Sequence, residues 1–252
     1  MSLLVAFRKE WMENLRSYRL LIVVVVLVFF GLTSPLLAKY TPEIITLIPG
    51  GEDIALIIPT PTVWDAVGQY VKNMSQFGII LALLLTMGAV AQEKDKGTAA
   101  MMLVKPLPRS SFLAAKFAGQ VVMFALALGT AGIACYYYTL LLFEALDIIP
   151  WLLLNGLLLL YLLVYVAITL FCSTLTKSQA AAGGIALGTL VLLGLVGAIP
   201  GLGKYLPGEL IAWGSRLLQG DGTASWTALG VSLGLIFVSL LAAWLVFRKQ
   251  EL

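Results

Sequence analysis

Six long apolar runs, each free of charged residues, alternate with more polar segments along the chain. They cover residues 20–38, 75–92, 117–142, 151–173, 179–199 and 224–247. A helix needs roughly 20 largely apolar residues to cross a bilayer, and a charge at its centre costs at least about 2.5 kcal/mol. The pattern predicts six transmembrane helices in one all-α polytopic membrane domain that occupies the whole chain, 1–252.

The segment before the first run has a different period. Leu3, Phe7, Trp11 and Leu15 recur at every fourth position, and charged residues fill other directions around the helix. This spacing is typical of an amphipathic helix. It predicts a helix over 1–19 that lies in the membrane interface, with Trp11 at headgroup depth. The helix would anchor the first span, or would also touch a cytosolic partner.

Composition and charge agree with a membrane protein. The chain is 60% apolar and 12% charged, and its net charge of +3 gives no basic surface for nucleic acid. Of the 16 Lys and Arg residues, 12 lie in segments 1–19, 93–116, 174–178 and 248–252. The positive-inside rule places these segments and both termini in the cytoplasm. We expect a multi-pass protein of a prokaryotic plasma membrane.

Several chemistries are excluded or disfavoured by the residues present. The chain has no histidine, which excludes His-based zinc sites and Ser-His-Asp or Cys-His catalysis. Its two cysteines, Cys135 and Cys172, lie within apolar runs, so we expect small buried residues and no disulfide. The predicted spans hold no carboxylate of the kind that ion-coupled transporters use. We therefore expect no catalytic residue, resident metal or cofactor in this chain.

The polar segment 93–116 contains a short apolar stretch. Thr98 is a candidate N-cap for a helix over Gly97–Lys105, and Pro106 and Pro108 would end that helix. Two helical turns are too short to be stable alone in water, so another surface must cover them. Met101, Met102 and Leu103 suit an apolar groove on another protein. Packing against the chain's own spans is the alternative.

This segment resembles the coupling segment of ATP-binding-cassette (ABC) type-2 permeases. The matching residues are Glu93, Lys94, Gly97, Thr98, Leu103, Pro106, Arg109, Phe112 and Lys116. The resemblance extends to the six spans, the interfacial N-terminal helix and a broken outer segment over 200–223, which it implies is a re-entrant helix pair.

The resemblance implies a permease, most simply an exporter, that works as a homo- or heterodimer on two separate cytosolic ATPase subunits in the lipid membrane. ATP and magnesium would bind to the partner, because the one Gly-Lys pair here, Gly203–Lys204, is followed by Tyr205 and so is no Walker A loop. The residues expected to couple the permease to the ATPase are Glu93, Gly97, Thr98, Met101, Met102, Leu103, Pro106 and Arg109.

Other polar residues are candidates for the cargo path. Asn155, Tyr161 and Tyr165 in the fourth span could line a pathway, or could hydrogen-bond between helices. Glu209 and Arg216 in the outer segment could form a gate, or could be ordinary charges at headgroup level. The 36-residue loop 39–74 is expected to form a small outer cap.

Two glycine pairs have the small-xxx-small spacing of close helix contacts, Gly184 with Gly188 and Gly230 with Gly234. Packing within one subunit, a dimer seam and a hinge are the alternatives for them. At the level of the whole chain, the rivals to a permease are a non-transporting accessory or assembly subunit, an intramembrane enzyme and a channel.

Overall fold

The structure is a computed structural model, and it describes residues 3–50, 59–97 and 108–250. Within these ranges the chain forms helices and no strand. The helices are α1 (Leu3–Arg16), α2 (Arg19–Thr46), α3 (Val63–Thr86), α4 (Ala91–Asp95), α5 (Arg109–Leu142), α6 (Ile148–Leu175), α7 (Gln179–Ala198), a 3-10 turn (Gly203–Tyr205), α8 (Gly208–Leu218) and α9 (Trp226–Lys249).

Six helical segments are long and apolar enough to cross a membrane: α2, α3 with α4, α5, α6, α7 and α9. The prediction of six spanning helices in an all-α protein is confirmed. The helices of the first two spans extend beyond the predicted spans, because α2 continues past residue 38 to Thr46 and α3 begins at Val63 rather than at 75. The described parts of the 39–74 loop are therefore largely helical.

The early start of α3 has a local cause. The Asp65 carboxylate accepts hydrogen bonds from the backbone N–H of Thr62, at 2.7 Å, and from its hydroxyl, at 2.8 Å. This arrangement is a capping box, which stabilises a helix start in water as well as in the membrane. A hydropathy pattern identifies only the apolar part of a helix, so it does not detect polar helix ends of this kind.

Helix α6 is the centre of the bundle. In the most apolar 18-residue stretch of α6, 78% of the residues are buried, against 28% in that of α2 and 17% in those of α7 and α9. Helices α3, α5 and α9 pack against it, and α2 packs against α3 and α5. Gly31 allows a close approach of α2 to α5, since a Cβ there would lie 2.6 Å from the Ala131 carbonyl oxygen. The core thus joins the first four spans, while α7 and α9 keep most of their surface open.

The two GxxxG pairs do not contribute to this packing. No described atom outside their own helices lies within 4 Å of a Cβ built at Gly184, Gly188, Gly230 or Gly234. The interpretation that these pairs mediate packing within one subunit is therefore wrong for the described part of the chain. Tight packing falls instead on other glycines, such as Gly31 and Gly78.

One end of the bundle collects most of the ionic contacts. Helix α1, α4, the start of α5 and the ends of α6 and α9 meet there, and we call it the basic end. A turn of two residues joins α1 to α2, and Tyr18 in this turn has a φ of +58°. This left-handed conformation is rare for a residue with a side chain, and it forms part of the short bend between α1 and α2.

Helix α8 lies at the opposite end, between the fifth and sixth spans. Its residue Gly214 packs against Leu154 of α6, and Leu210 is fully buried. The structure thus has a helix in the predicted outer segment, held beside the first turns of α6. The prediction that this segment re-enters the outer side of the bilayer stays a prediction.

Candidate functional site

The basic end brings together the two sides of the predicted coupling segment. Glu93 lies on α4, before the segment, and Lys116 lies on the second turn of α5, after it. The Lys116 ammonium is 2.8 Å from Glu93 Oε1, although the two residues are 23 positions apart. This ion pair closes the base of the loop that carries the segment.

Helix α1 completes the ion network. Both carboxylate oxygens of Glu10 lie 3.2 Å from the Lys116 ammonium, and the Lys9 ammonium lies 3.0 Å from Glu93 and 3.1 Å from Glu10. The side chain of Lys116 is only 3% exposed. A buried charge needs such partners, because an isolated one would be very poorly solvated.

The charges in this network balance locally. Burial alone would lower the pKa of Lys9, but the negative charges of Glu10 and Glu93 and hydrogen bonds to both raise it above its ordinary value. Lys9 is therefore charged at neutral pH. Together, Lys9 and Lys116 offset Glu10 and Glu93, so the network is neutral as a whole.

The carboxylates of Glu10, Glu13 and Glu93 are close enough together to suggest a metal site. The Lys9 ammonium, however, lies within 3.4 Å of an oxygen of each of them. A positive charge of the chain itself thus takes the place that a cation would need. The geometry fits an ion network rather than a metal centre.

A second set of contacts joins the base of the loop to the ends of two spans. Arg109, the first residue of α5, donates to the carbonyl oxygens of Phe247, Arg248 and Gln250 at 2.6, 3.0 and 2.9 Å. These carbonyls lie at the end of α9, where the helix itself supplies no donors. The structure therefore gives Arg109 a partner within the chain, the C-terminus of the last span.

Lys94 makes the equivalent contact with α6. Its ammonium donates to the Thr174 carbonyl oxygen at 2.7 Å and to the Gln250 side chain at 3.0 Å. Gln250 in turn donates to the same Thr174 carbonyl at 2.9 Å. The base of the loop is thus bonded to the ends of the fourth and sixth spans.

The second span is interrupted just before α4, and α6 supports the break. The Ser173 hydroxyl accepts hydrogen bonds from the backbone N–H groups of Val90 and Ala91, both at 3.0 Å, and donates to the Met87 carbonyl oxygen at 2.8 Å. Irregular backbone near a membrane is stable only where other groups satisfy it. Ser173 therefore bonds α4 to the fourth span.

Most residues of the predicted coupling helix lie outside the described ranges: Thr98, Met101, Met102, Leu103 and Pro106. Gly97 is the last described residue before them. Its φ of +67° is the left-handed conformation that glycine often adopts after a helix ends, and its N–H bonds to the Lys94 carbonyl at 3.2 Å. The described chain thus turns away from α4 at Gly97.

A cavity of about 360 Å³ lies toward the opposite end, and it brings together several candidate path residues. Tyr161 and Tyr165 of α6 line it, with ring centroids 5.0 Å apart, and so does Glu209. Gly194 and Gly197 of α7 form part of the wall without side chains, so they leave room between the helices.

A polar link holds the outer helix α8 to the last span. Arg216 donates to Glu209 at 2.6 Å and to the Ser225 hydroxyl at 3.0 Å, and Ser225 donates to Glu209 at 3.0 Å. Ser225 directly precedes α9. The two predicted gate residues therefore form an ion pair with each other.

Asn155 is separate from the two tyrosines. Its side-chain oxygen accepts a hydrogen bond from the Tyr70 hydroxyl at 2.5 Å, and its amide donates to the Trp151 carbonyl at 2.9 Å. A Cβ at Gly132 would lie 2.8 Å from the same oxygen. Asn155 thus joins the second, third and fourth spans, which is the interhelical bonding that the sequence left open.

The sequence interpretation missed Glu10, Ser173 and the role of Lys94. Glu10 carried a signal, because Ala6, Glu10 and Asn14 recur every fourth residue as a small and polar row on α1. Such a row indicates packing against protein rather than lipid. Ser173 had no comparable signal, because a single serine in a span fits many positions.

Comparisons with known proteins agree with this architecture. Residues 4–252 match the family model described as ABC-2 family transporter protein. The chain is 28% identical over 251 residues to the "Uncharacterized transmembrane protein YxlG" of Bacillus subtilis (strain 168), covering 97% of this chain and 95% of that protein. It is 25% identical over 207 residues to the "Putative transport permease YvfS" of the same organism, covering 77% and 82%.

Proposed function

This chain belongs to the ABC-2 family of transporter proteins, and from that premise we propose that it is the permease subunit of an ATP-driven exporter. ATP hydrolysis, with its magnesium, takes place on a separate cytosolic ATPase, because the sequence contains no Walker A loop. The permease needs no cofactor of its own. Its spans form the path through the plasma membrane of a prokaryotic cell.

The basic end faces the cytoplasm in this proposal, with both termini inside. The excess of Lys and Arg in its segments supports that orientation. The ATPase binds the segment that begins at Gly97, and Met101, Met102 and Leu103 enter an apolar groove on its surface. Thr98 and Pro106 would set the two ends of this helix.

The observation that carries the proposal is the closed base of the loop. The Glu93–Lys116 pair, at 2.8 Å, joins the two sides of the segment, so a force on the segment acts on α4 and α5 together. Arg109, Lys94 and Ser173 connect the same base to the ends of α6 and α9. A displacement by the ATPase would therefore reach four spans at once. These residues transmit the motion, whereas the apolar helix provides the binding contact.

Two permease copies complete the path. Of the six spanning helices, α7 and α9 are the least buried in their most apolar stretches. The glycines at 184, 188, 230 and 234 have open space beside them. In lipid, exposed leucines need no explanation, but exposed glycines in GxxxG spacing favour close helix contacts. These faces support a dimer seam through α7 or α9. A cysteine at Gly188 should cross-link two copies when the seam lies on α7, and a cysteine at Gly234 when it lies on α9. A cysteine at Ile133, which is 72% exposed on α5, should not cross-link in either case.

Cargo passes the opposite end near the Tyr161–Tyr165 cavity, and the Glu209–Arg216 pair acts as the outer gate. The position of Glu209 in the lining of this cavity supports that assignment. Opening would separate α8 from the start of α9. Polar residues are few within the predicted spans, and this scarcity supports lipid-like or apolar cargo.

The first experiment purifies the tagged chain from its native host in mild detergent and identifies bound proteins by mass spectrometry. We expect a stoichiometric P-loop protein with vanadate-sensitive ATP hydrolysis. The variant Met101→Asp with Leu103→Asp should insert normally and lose this protein, because a charge is poorly solvated in an apolar groove. The matched control, Met101→Leu with Leu103→Met, should retain it. A complex that survives the double Asp change would contradict the binding assignment.

A second experiment separates a transporter from an accessory subunit. Inverted membrane vesicles with and without the chain are supplied with cell extract and ATP, and their contents are compared by mass spectrometry. An exporter should accumulate one class of compound inside the vesicles, and vanadate should prevent the accumulation. Vesicles that bind the ATPase but accumulate nothing would favour the accessory function.

A further inference from the structure

Helix α1 faces the bundle with its polar side. Its buried residues are Ala6, Glu10 and Asn14, one on each turn, whereas Leu4 is 81% and Leu15 47% exposed. A helix that packed by its apolar stripe would show the reverse arrangement. The polar side of α1 therefore attaches it to α5, and the apolar side is left for the membrane surface.

Two ammonium groups make this attachment. Lys9 on α1 lies 3.0 Å from Glu93 on α4. Lys116 lies 3.2 Å from both oxygens of Glu10 on α1 and 2.8 Å from Glu93 on α4. It therefore bridges the surface helix and the base of the loop. A turn of only two residues also joins α1 to α2, so α1 stays next to the first span.

We infer that Glu10 and Lys116 are positioning residues, which tie the base of the 97–108 loop to a helix held at the membrane surface. This ion-pair contact sets the position of the loop relative to the bilayer, so that a conformational change of the ATPase displaces the spans rather than the loop alone. This inference rests on the proposed function. It adds that α1 takes part in transmitting motion from the ATPase to the spans, besides anchoring the first span.

The test replaces the ionic tie by a covalent one. A Cβ built at Gly119 lies 3.6 Å from the Cβ of Glu10, within the range of about 3.5–4.5 Å that disulfides require. The variant Glu10→Cys breaks the ion pair, and Glu10→Cys with Gly119→Cys can restore the attachment on oxidation. Gly119→Cys alone is the control, because its new Cβ meets only ordinary contacts. Both natural cysteines are buried.

The measurement is ATP hydrolysis by the purified permease–ATPase complex in lipid nanodiscs, together with the amount of ATPase that copurifies. We expect Glu10→Cys to retain the ATPase but to lower hydrolysis by about fivefold, within the range by which mutations along a coupling network change the coupling. The double variant should be equally slow when reduced and should recover most of the rate when oxidised. Gly119→Cys should behave as the unmodified chain in both states.

The outcomes separate this inference from the function on which it rests. Normal hydrolysis by Glu10→Cys, or an oxidised double variant that stays slow, would overturn the tie while the ATPase remains bound. Oxidation and reduction of one sample share the same folded protein, so a recovered rate cannot come from better folding. Failure of the unmodified chain to bind any ATPase would overturn the proposed function, and the inference with it.

Discussion

Replacing Lys116 by methionine should expose how the chain stabilises its buried charges. The substitution keeps most of the side-chain volume but removes the ammonium that lies 2.8 Å from Glu93 and 3.2 Å from Glu10. Lys9 remains 3.0 and 3.1 Å from the same two acids. The network therefore keeps one lysine against two buried carboxylates.

The cost follows from burial. Removing one partner of a buried ion pair destabilises a protein by about 3–5 kcal/mol, because the other charge is left uncompensated. The 3% exposure of Lys116 places it in this class. Since Lys9 still screens the acids, we expect a loss of about 3 kcal/mol, at the lower end of that range.

The assay is an unfolding titration in mixed detergent and SDS micelles, followed through the fluorescence of the six tryptophans. Adding Glu10→Gln to Lys116→Met removes the surplus negative charge and should recover about 1 kcal/mol or more, the size of coupling expected for residues in contact. Glu10→Gln alone completes the double-mutant cycle.

The sign of the pH dependence provides an independent check. A carboxylate buried without its cation binds a proton more tightly in the folded chain than in the unfolded chain, so the free energy of unfolding falls as pH rises. The deficit of Lys116→Met should thus be larger at about pH 8 than at about pH 5. A loss below about 1 kcal/mol with no pH dependence would refute the reasoning, because it would show that solvent reaches the network.

Further predictions use the same titration. Arg109→Gln should cost about 1.5–3 kcal/mol, because three carbonyls at the end of α9 lose a charged donor, and hydrogen exchange should rise in the last turn of that helix. Ser173→Ala should cost about 1–3 kcal/mol, because two backbone N–H groups lose their acceptor; unchanged exchange at those two amides would contradict this. Gly31→Ala should destabilise the α2–α5 contact by about 1–3 kcal/mol, whereas Gly68→Ala, which meets open space, should not. The pKa of Lys9 is raised above its ordinary 10.5 despite its burial, because Glu10 and Glu93 stabilise the charge. The stability that the charged Lys9 contributes to the fold should be complete below pH 10.5 and should be lost as pH rises further. Unfolding titrations on either side of that pH would detect the loss.

The spanning helices were predictable because the cost of charge in a bilayer leaves a strong mark on the sequence. Their ends were not, because a helix that leaves the membrane can continue in water. Helix α2 passes Lys39 and Pro42 without ending, and α3 starts at a capping box that hydropathy ignores. The four GxxxG glycines, which have open space beside them, show a similar limit, since their spacing indicates close contact but does not identify the partner.

The candidate site was predictable in part. The resemblance identified the segment around Glu93 and Arg109, yet neither residue's partner could be read from the sequence. Lys116, for example, resembles any lysine in a polar loop, and its burial follows from the arrival of α1 and α4 on either side. Charge networks of this kind depend on three segments that are distant in sequence, so local pattern carries little information about them.

The bonds from Lys94 and Arg109 to the end of α9 also set an order of biogenesis. A ribosome makes both residues long before it makes Phe247 and Gln250, and the partners become available only after the sixth span has entered the membrane. The base of the loop is therefore incomplete in every nascent chain that has not yet inserted its last helix. Under the proposed function, assembly with the ATPase subunit would therefore follow insertion of the last helix rather than accompany it.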